Sequence, residues 1–397
     1  MISMDTTELN LDFNNTQIAF AHKPDSELKA TTLLFKLMNK PRLVEWGSTL
    51  SLFALKLHFP FTKWIIKKSI FTQFCGGTTL LETQSTVDHL QRHRVLTVLD
   101  YGAEGQSEEP DLDQALQEFL RAIEFAGSNS SIPVVSTKVT ALASDEVLER
   151  VGRRTDLSTA DQAAFERVQD RLDQMCRKAA EIDVKIFVDA EESWMQETID
   201  RMVEEMMEKY NREKVVVYNT FQMYRTDRLD YLKSSYADAL AKGYMLGAKL
   251  VRGAYMEKER ERAAERGYPS PIYPDKQATD HAYDEAVRFC VDHYDTMASC
   301  NASHNAASNL LQARLIVERG IHRNHPHLNF CQLQGMSDNI TFNLADAGFN
   351  VAKYVVYGPV QKVIHYLIRR AEENTSVTGD LSRELALLQK EKLRRGI

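Results

Sequence analysis

Near its C-terminus the chain reads Tyr366-Leu367-Ile368-Arg369-Arg370-Ala371-Glu372-Glu373, which sets two adjacent guanidinium groups, a phenol and a carboxylate on a segment of helical character. Residues three, four and seven apart share a helix face. Tyr366, Arg369, Arg370 and Glu373 therefore project together. A pair of planar guanidinium forks is the chemistry that grips a small carboxylate bidentately. An arginine pair followed by glutamate is more commonly a solvated basic patch with an intrahelical ion pair. The polar residues elsewhere in the chain decide between the two.

Those residues fall at the ends of short β-branched runs. Lys138 lies inside Val134-Val135-Ser136-Thr137-Lys138-Val139, an apolar run where a lysine is costly unless it meets an anion. Asp189 follows Lys185-Ile186-Phe187-Val188 and could serve a ligand or simply cap the next helix. Asn219 and Gln222 close a further run, and Lys249 and Arg252 flank Leu250-Val251 just before Gly253-Ala254-Tyr255. The glycine there would let a ligand approach the backbone closely. His304-Asn305, Leu333-Gln334-Gly335 and Tyr357-Gly358-Pro359 follow the last three runs. Cations and amides dominate this set, which suits an anionic ligand bearing phosphates and a small carboxylate. No G-x-S-x-G occurs, and no cysteine sits beside a histidine at a strand end, so a nucleophilic hydrolase is poorly supported. His322, His325 and His327 cluster in a proline-containing loop, which reads as exposed histidines and not as a metal site.

Elements that would position these groups follow from periodicity. Strands are predicted at Val95–Tyr101, Val134–Val139, Lys185–Val188, Val215–Tyr218, Lys249–Val251, Asn329–Gln332 and Lys353–Val356, with a weaker one at Thr296–Asn301. Helical patterns separate them, as in Met195–Lys209, Asp227–Lys242, Gln277–Tyr294 and Ala306–Arg319. That alternation makes parallel βαβ units. About eight such units predict an α/β fold of the (β/α)8, TIM-like type, distorted, whose chemistry lies at the strand C-termini. No G-x-G-x-x-G or phosphate loop is present, which argues against the doubly wound nucleotide folds. Residues 1–90 read as a helical N-terminal region with a turn at Cys75-Gly76-Gly77. The barrel is expected over 91–397, with a helical insertion near 140–180.

The 397 residues, 43% hydrophobic and 26% charged, are those of an ordinary globular protein with material for a large core. A net charge of −7 argues against a general nucleic-acid binder. Five scattered cysteines without a CxxC pair point to reduced thiols, not a disulfide framework or zinc site. The acidic N-terminus lacks the features of a signal or transit peptide. The most apolar early stretch, Leu50 to Ile66, is interrupted by Lys56, His58, Pro60 and Lys63, too often to span a bilayer. It reads as a buried helical layer or as a surface that touches lipid.

Several of these stretches resemble the FAD-dependent proline dehydrogenases. Lys249-Leu250-Val251-Arg252-Gly253-Ala254-Tyr255, followed by Tyr268-Pro269 and Lys276-Gln277-Ala278-Thr279-Asp280, is similar to that family's fifth-strand signature. Phe187-Val188-Asp189-Ala190-Glu191-Glu192-Ser193, Ser303-His304-Asn305, Gln332-Leu333-Gln334-Gly335-Met336 and the Tyr366–Glu373 stretch match four more motifs in the family's order. The wording around Tyr357-Gly358-Pro359-Val360 is closer to the monofunctional, mitochondrial-type branch. The resemblance implies FAD held non-covalently, with L-proline oxidised to pyrroline-5-carboxylate by hydride transfer to flavin N5. A membrane quinone would accept the electrons. It implies that Arg369, Arg370 and Lys138 pair with the substrate carboxylate, that Tyr366, Tyr357 and Leu333 pack around the ring, and that Tyr255 and Asp189 complete the pocket. Gln222, Lys249, Val251, Gly253, Lys276, Thr279, His304 and Asn305 would serve the cofactor, and Glu373 either the cofactor or an arginine. Met256 stands where the bifunctional members carry a tryptophan. Such an enzyme is expected in the cytoplasm or peripherally on the inner face of the inner membrane, or on the mitochondrial matrix side. Trans-4-hydroxy-L-proline is an alternative substrate, and a lyase using Lys138 as a Schiff-base nucleophile is an alternative enzyme. Without a dinucleotide motif or nucleophilic cysteine motif, only the first oxidation is expected of the chain.

Overall fold

β-Branched and apolar runs bounded by Gly, Pro and Asn form nine strands in the computed structural model, which describes residues 9–57, 59–102, 108–153, 157–373 and 380–397. They are β1 (Cys75–Gly77), β2 (Leu96–Tyr101), β3 (Val134–Lys138), β4 (Lys185–Asp189), β5 (Val217–Gln222), β6 (Leu246–Val251), β7 (Met297–Ala302), β8 (Leu328–Leu333) and β9 (Val351–Tyr357). Strands β2–β9, alternating with helices, make a TIM-like (β/α)8 barrel. Each of the eight predicted strands is present.

The boundaries moved for local reasons. β5 starts at Val217, because the backbone N–H groups of Val216 and Val217 donate to the Asn211 side chain, both at 2.9 Å. It runs on through Gln222, so Asn219 and Gln222 are strand residues. β6 begins at Leu246 because Gly247 has no side chain: a Cβ there would lie 2.3 Å from the Val217 carbonyl. The small polar run Met297–Ala302 carries little intrinsic strand signal. It is a strand because β6 and β8 pair with it in parallel on its two sides.

Two compact units make up the chain. The first comprises Met1–Leu9 and Glu104–Cys331. Its strands β3 to β8 pair successively in parallel, with Lys138 opposite Asp189, Gln222 opposite Val251 and Thr220 opposite Lys249. The second unit comprises Asn10–Ala103 and Gln332–Ile397. Here β9 pairs in parallel with β2, from Leu96 opposite Ala352 to Tyr101 opposite Tyr357. It also pairs with β1, which replaces the turn expected at Cys75-Gly76-Gly77. Gly76 is required for this pairing, since its Cβ would stand 2.3 Å from Val355 Cγ1.

Beneath β9 the second unit buries an ion cluster. Lys353, 1% exposed, places its ammonium 2.8 Å from Asp338 and donates to the Met336 carbonyl. His22 and Lys23 face the other Asp338 oxygen at 3.4 and 3.5 Å. Burial raises Asp338, but the charges of Lys353 and Lys23 outweigh it and hold the carboxyl well below its usual value. His22 stacks on Phe342 with ring centroids 3.9 Å apart, and burial lowers it to about 4. All five cysteines are buried thiols. Among the described residues no helix is long and apolar enough to cross a membrane.

Candidate active site

In the first unit the strand ends carry a polar layer that begins with a buried ion pair. Asp189 closes β4 and accepts from the Ser136 hydroxyl of β3 at 2.9 Å and from the Lys249 ammonium of β6 at 2.5 Å. Lys249 has only 6% of its side chain exposed and lies 5.5 Å over the Phe187 ring. A lysine this deep is costly without an anionic partner, and Asp189 is that partner. Asp189 is therefore a counter-ion, and not a cap of the following helix. Lys138 ends β3 in register with Asp189 and is half-buried.

Glu191, two residues beyond Asp189, gathers two of the expected site residues, Tyr255 and Gln222, together with Thr140. Its carboxylate accepts from the Thr140 hydroxyl at 2.6 Å and the Tyr255 hydroxyl at 3.1 Å, and its carbonyl accepts from the Gln222 side chain at 2.7 Å. Gln222 and Tyr255 thus lie on one network although 33 positions separate them in the sequence. Residue-level reading did not single out Glu191, because in Asp189-Ala190-Glu191-Glu192 it looks like one acid among several. Its neighbours have structural partners: Glu192 pairs with Lys258 at 2.8 Å. Buried Glu259 accepts from the Ser193 backbone and hydroxyl, both at 2.6 Å, where the Ser193–Tyr210 helix begins. Asn219 is buried and donates to Asp200 at 3.0 Å. It belongs to the packing of β5, not to a ligand.

A second polar group surrounds Arg252, just past β6. Its guanidinium reaches Asp280 at 2.8 Å, the Ser303 hydroxyl at 2.7 Å and the Ser308 hydroxyl at 3.0 Å, and it lies 4.4 Å over the Tyr283 ring. Asp280 also receives Lys276 at 2.5 Å. Burial raises Asp280, but hydrogen bonds from Lys276 and Arg252 outweigh it and hold the carboxyl below its usual value. Lys276 and Thr279 open the Lys276–Asp292 helix, whose N-cap is Asp275; the Thr279 hydroxyl donates to the Asp275 carbonyl at 3.3 Å. Asn305 caps the Ala306–Glu318 helix through the Ala307 and Ser308 amides, and His304 precedes it, half-buried. Val251 accepts from the Met223 N–H at 2.9 Å. Gly253 has φ +141, and a Cβ would lie 2.4 Å from the Tyr224 ring, so packing within the chain already demands glycine there.

The second unit holds Leu333, Tyr357, Tyr366, Arg369 and Arg370. Leu333 ends β8, and Tyr357 ends β9 with its ring centroid 5.4 Å from that of Tyr101. Gly358 at φ +146 turns the chain into the Val360–Glu373 helix. On that helix Arg370 is buried with its guanidinium 5.2 Å from the Tyr366 ring, which is also buried, while Arg369 is half-buried. Two arginines on one partly buried helix face are unlike the solvated patch that the bare motif would most often be. Glu373 closes the helix, and its side chain lies outside the described residues.

Comparison with known proteins agrees with these motifs. A family model described as proline dehydrogenase matches residues 83–383. The carbapenem antibiotics biosynthesis protein CarD of Pectobacterium carotovorum subsp. carotovorum is 35% identical over 347 residues, covering 87% of this chain and 90% of that protein. Proline dehydrogenase 2, mitochondrial, of Arabidopsis thaliana is 30% identical over 436 residues, covering 98% and 91%. Among solved structures, proline utilization A from Bdellovibrio bacteriovorus, inactivated by N-propargylglycine, superposes with a TM-score of 0.72 at 20% identity. That likeness of fold covers 95% of this chain and 43% of the other. With the family model matched across most of its length, the chain belongs to the proline dehydrogenase family, as an oxidoreductase that acts on proline.

Proposed function

We propose that the chain is a flavoenzyme that oxidises L-proline to pyrroline-5-carboxylate with FAD as hydride acceptor and a membrane quinone as the final oxidant. The observation that carries this reading is the set of basic and amide groups at the strand ends of a proline dehydrogenase barrel. The donor set of the first unit fits an anionic dinucleotide. Arg252 and Lys276 supply cations around Asp280, and Ser303, Asn305 and Thr279 supply short polar groups beside them. Gln222 and Lys249 would serve the ring system, with Asp189 orienting the ammonium of Lys249. Val251, Gly253 and His304 complete the proposed cofactor residues, and Glu373 is proposed with them.

FAD, when bound, supplies the hydride acceptor that no side chain of the protein provides. The remaining work is positional. Arg369, Arg370 and Lys138 would bind the proline carboxylate through charge-assisted hydrogen bonds. Tyr366, Tyr357, Tyr255 and Leu333 would hold the ring and exclude water, so that the carbon next to nitrogen faces the acceptor. A buried cation such as Lys249 stabilises negative charge that develops nearby during the transfer. The enzyme would work at the face of the membrane that carries its quinone.

An anaerobic flavin spectrum during titration tests this. The purified protein should absorb near about 450 nm, the usual flavin band, and L-proline should bleach it. A protein without that band, trapped by borohydride at Lys138 in the presence of substrate, would overturn the reading in favour of a Schiff-base lyase. Bleaching by trans-4-hydroxy-L-proline but not by L-proline would move the substrate assignment by one hydroxyl.

A further inference from the structure

Lys353 stands in β9 with 1% of its surface exposed, a depth at which a lysine is costly unless its donors are met. An ammonium carries three protons. One goes to Asp338 Oδ1 at 2.8 Å, and the others reach the backbone carbonyls of Leu333, at 3.4 Å, and of Met336. A buried ion pair needs only the first of these contacts. The other two fasten the loop that leaves β8.

That loop, Leu333 to Ser337, holds a backbone the chain does not adopt unaided. Gly335 has φ +78 and Ser337 φ +52, a left-handed conformation that residues other than glycine seldom take. A Cβ at Gly335 would lie 2.1 Å from the Gln73 carbonyl oxygen. Such a backbone persists where its surroundings over-determine it. Here the Gln334 N–H donates to the Tyr354 carbonyl at 2.9 Å, the Gln73 side chain donates to the Gly335 carbonyl at 2.8 Å, and the Ser337 N–H donates to Glu384 at 2.6 Å. Lys353 adds two more points, on the carbonyls of Leu333 and Met336. Gly335, Met336 and Ser337 are buried, whereas Leu333 is half-buried. The loop is thus anchored through its backbone, and accessible surface remains on the residue that the function proposed above sets against the substrate ring.

We propose that Lys353 is a positioning residue: by holding the Leu333 and Met336 carbonyls it fixes how far Leu333 reaches over the substrate ring, and so sets the ring size that the enzyme accepts. The substrate part of this inference rests on the function proposed above. The hold on the loop rests on the hydrogen bonds alone. Asp338 orients the ammonium and has His22 and Lys23 as further partners at 3.4 and 3.5 Å, so removing Lys353 does not strand the carboxylate. The loss falls instead on the two loop carbonyls, and a loop released there lets Leu333 move back from the ring.

The test compares the flavin-loaded full chain with Lys353→Met, which keeps the aliphatic stem and removes the three donors. Amide hydrogen exchange reads the loop. Dye-linked proline oxidation, with L-pipecolate (the six-membered-ring homologue) as inhibitor, reads the pocket. In Lys353→Met the amides of Gln334 to Ser337 should exchange roughly tenfold or more faster, with those of β2 unchanged. KM for proline should rise about tenfold while kcat stays within about twofold. The preference for proline over L-pipecolate, read as inhibition constant over KM, should shrink about tenfold. A lysine that only stabilised the fold would not move that ratio. Lys353→Met/Asp338→Asn should show the same exchange and the same ratio, and carries the test if the single variant does not fold. Wild-type exchange in the loop, or faster exchange with an unmoved ratio, overturns the positioning role. A flavin-loaded wild type that does not oxidise proline, with the loop still loosened by Lys353→Met, sinks the enzymatic reading instead, and the substrate part of this inference with it.

Discussion

Replacing Asp189 by alanine removes a carboxylate that stands 2.5 Å from the Lys249 ammonium, a group with 6% of its side chain exposed. At an effective dielectric of about 20, unit charges that close attract by roughly 7 kcal/mol. Much of that attraction only offsets the cost of taking the ammonium out of water. Breaking such a pair from one side leaves the other charge uncompensated, and costs about 3 kcal/mol. Lys249→Met should be milder, about 2 kcal/mol, because Asp189 keeps the Ser136 hydrogen bond and has 16% of its side chain exposed. With both groups gone no buried charge is stranded. Asp189→Ala/Lys249→Met should therefore cost about 2 to 3 kcal/mol, well short of the sum of the single changes. Urea unfolding of the four proteins at neutral pH, followed by circular dichroism, measures the coupling. Additivity within about 0.5 kcal/mol would refute the claim that Asp189 holds the lysine. The same double variant, if folded, tests the cofactor role proposed for Lys249, through flavin content and turnover.

Arg370→Met keeps an aliphatic stem against Tyr366 but would remove the proposed charge-assisted pair to the substrate carboxylate. It should weaken proline affinity by roughly 3 kcal/mol, read as a raised KM, and near-normal kinetics would sink the clamp. Burial, then the neighbouring Asp338 charge, pushes Glu384 up to about 8, while it accepts the Ser337 N–H at 2.6 Å. A folded value above the usual 4.5 means that stability is fully present below that pH and is lost as pH rises through 8. Glu384→Gln keeps the acceptor and should flatten this decline in thermal unfolding midpoints taken from about pH 6 to about pH 9; an unchanged slope would refute the assignment. Burial lowers His22 from 6.5 to about 4, so its contribution is present above 6.5 and lost as pH falls through 4. His22→Gln should remove up to roughly 3 kcal/mol of that acid sensitivity, measured by urea unfolding across the window.

The sequence by itself carried the fold class and the enzyme family. Periodicity is a local property, and eight β-branched runs separated by helices of similar length are enough to specify parallel βαβ units. Candidate residues past those runs could be picked out as well, since a lysine within Val134–Val139 or a paired arginine on an apolar helix is anomalous without reference to any neighbour. Tertiary structure decided what a linear reading cannot, namely which groups meet. Asp189 looked as much like a helix cap as a ligand until β6 brought Lys249 to it across β5. Glu191 looked like one acid in a run until Thr140, Gln222 and Tyr255 converged on it. Gly253 answers to the Tyr224 ring, and the strand at Met297–Ala302 exists because its neighbours pair with it. The apolar stretch from Leu50 to Ile66 allowed either burial or lipid contact. Hydrophobicity fixes how much apolar surface a segment has, but only packing decides which face it turns inward, and here the aromatic face turns out.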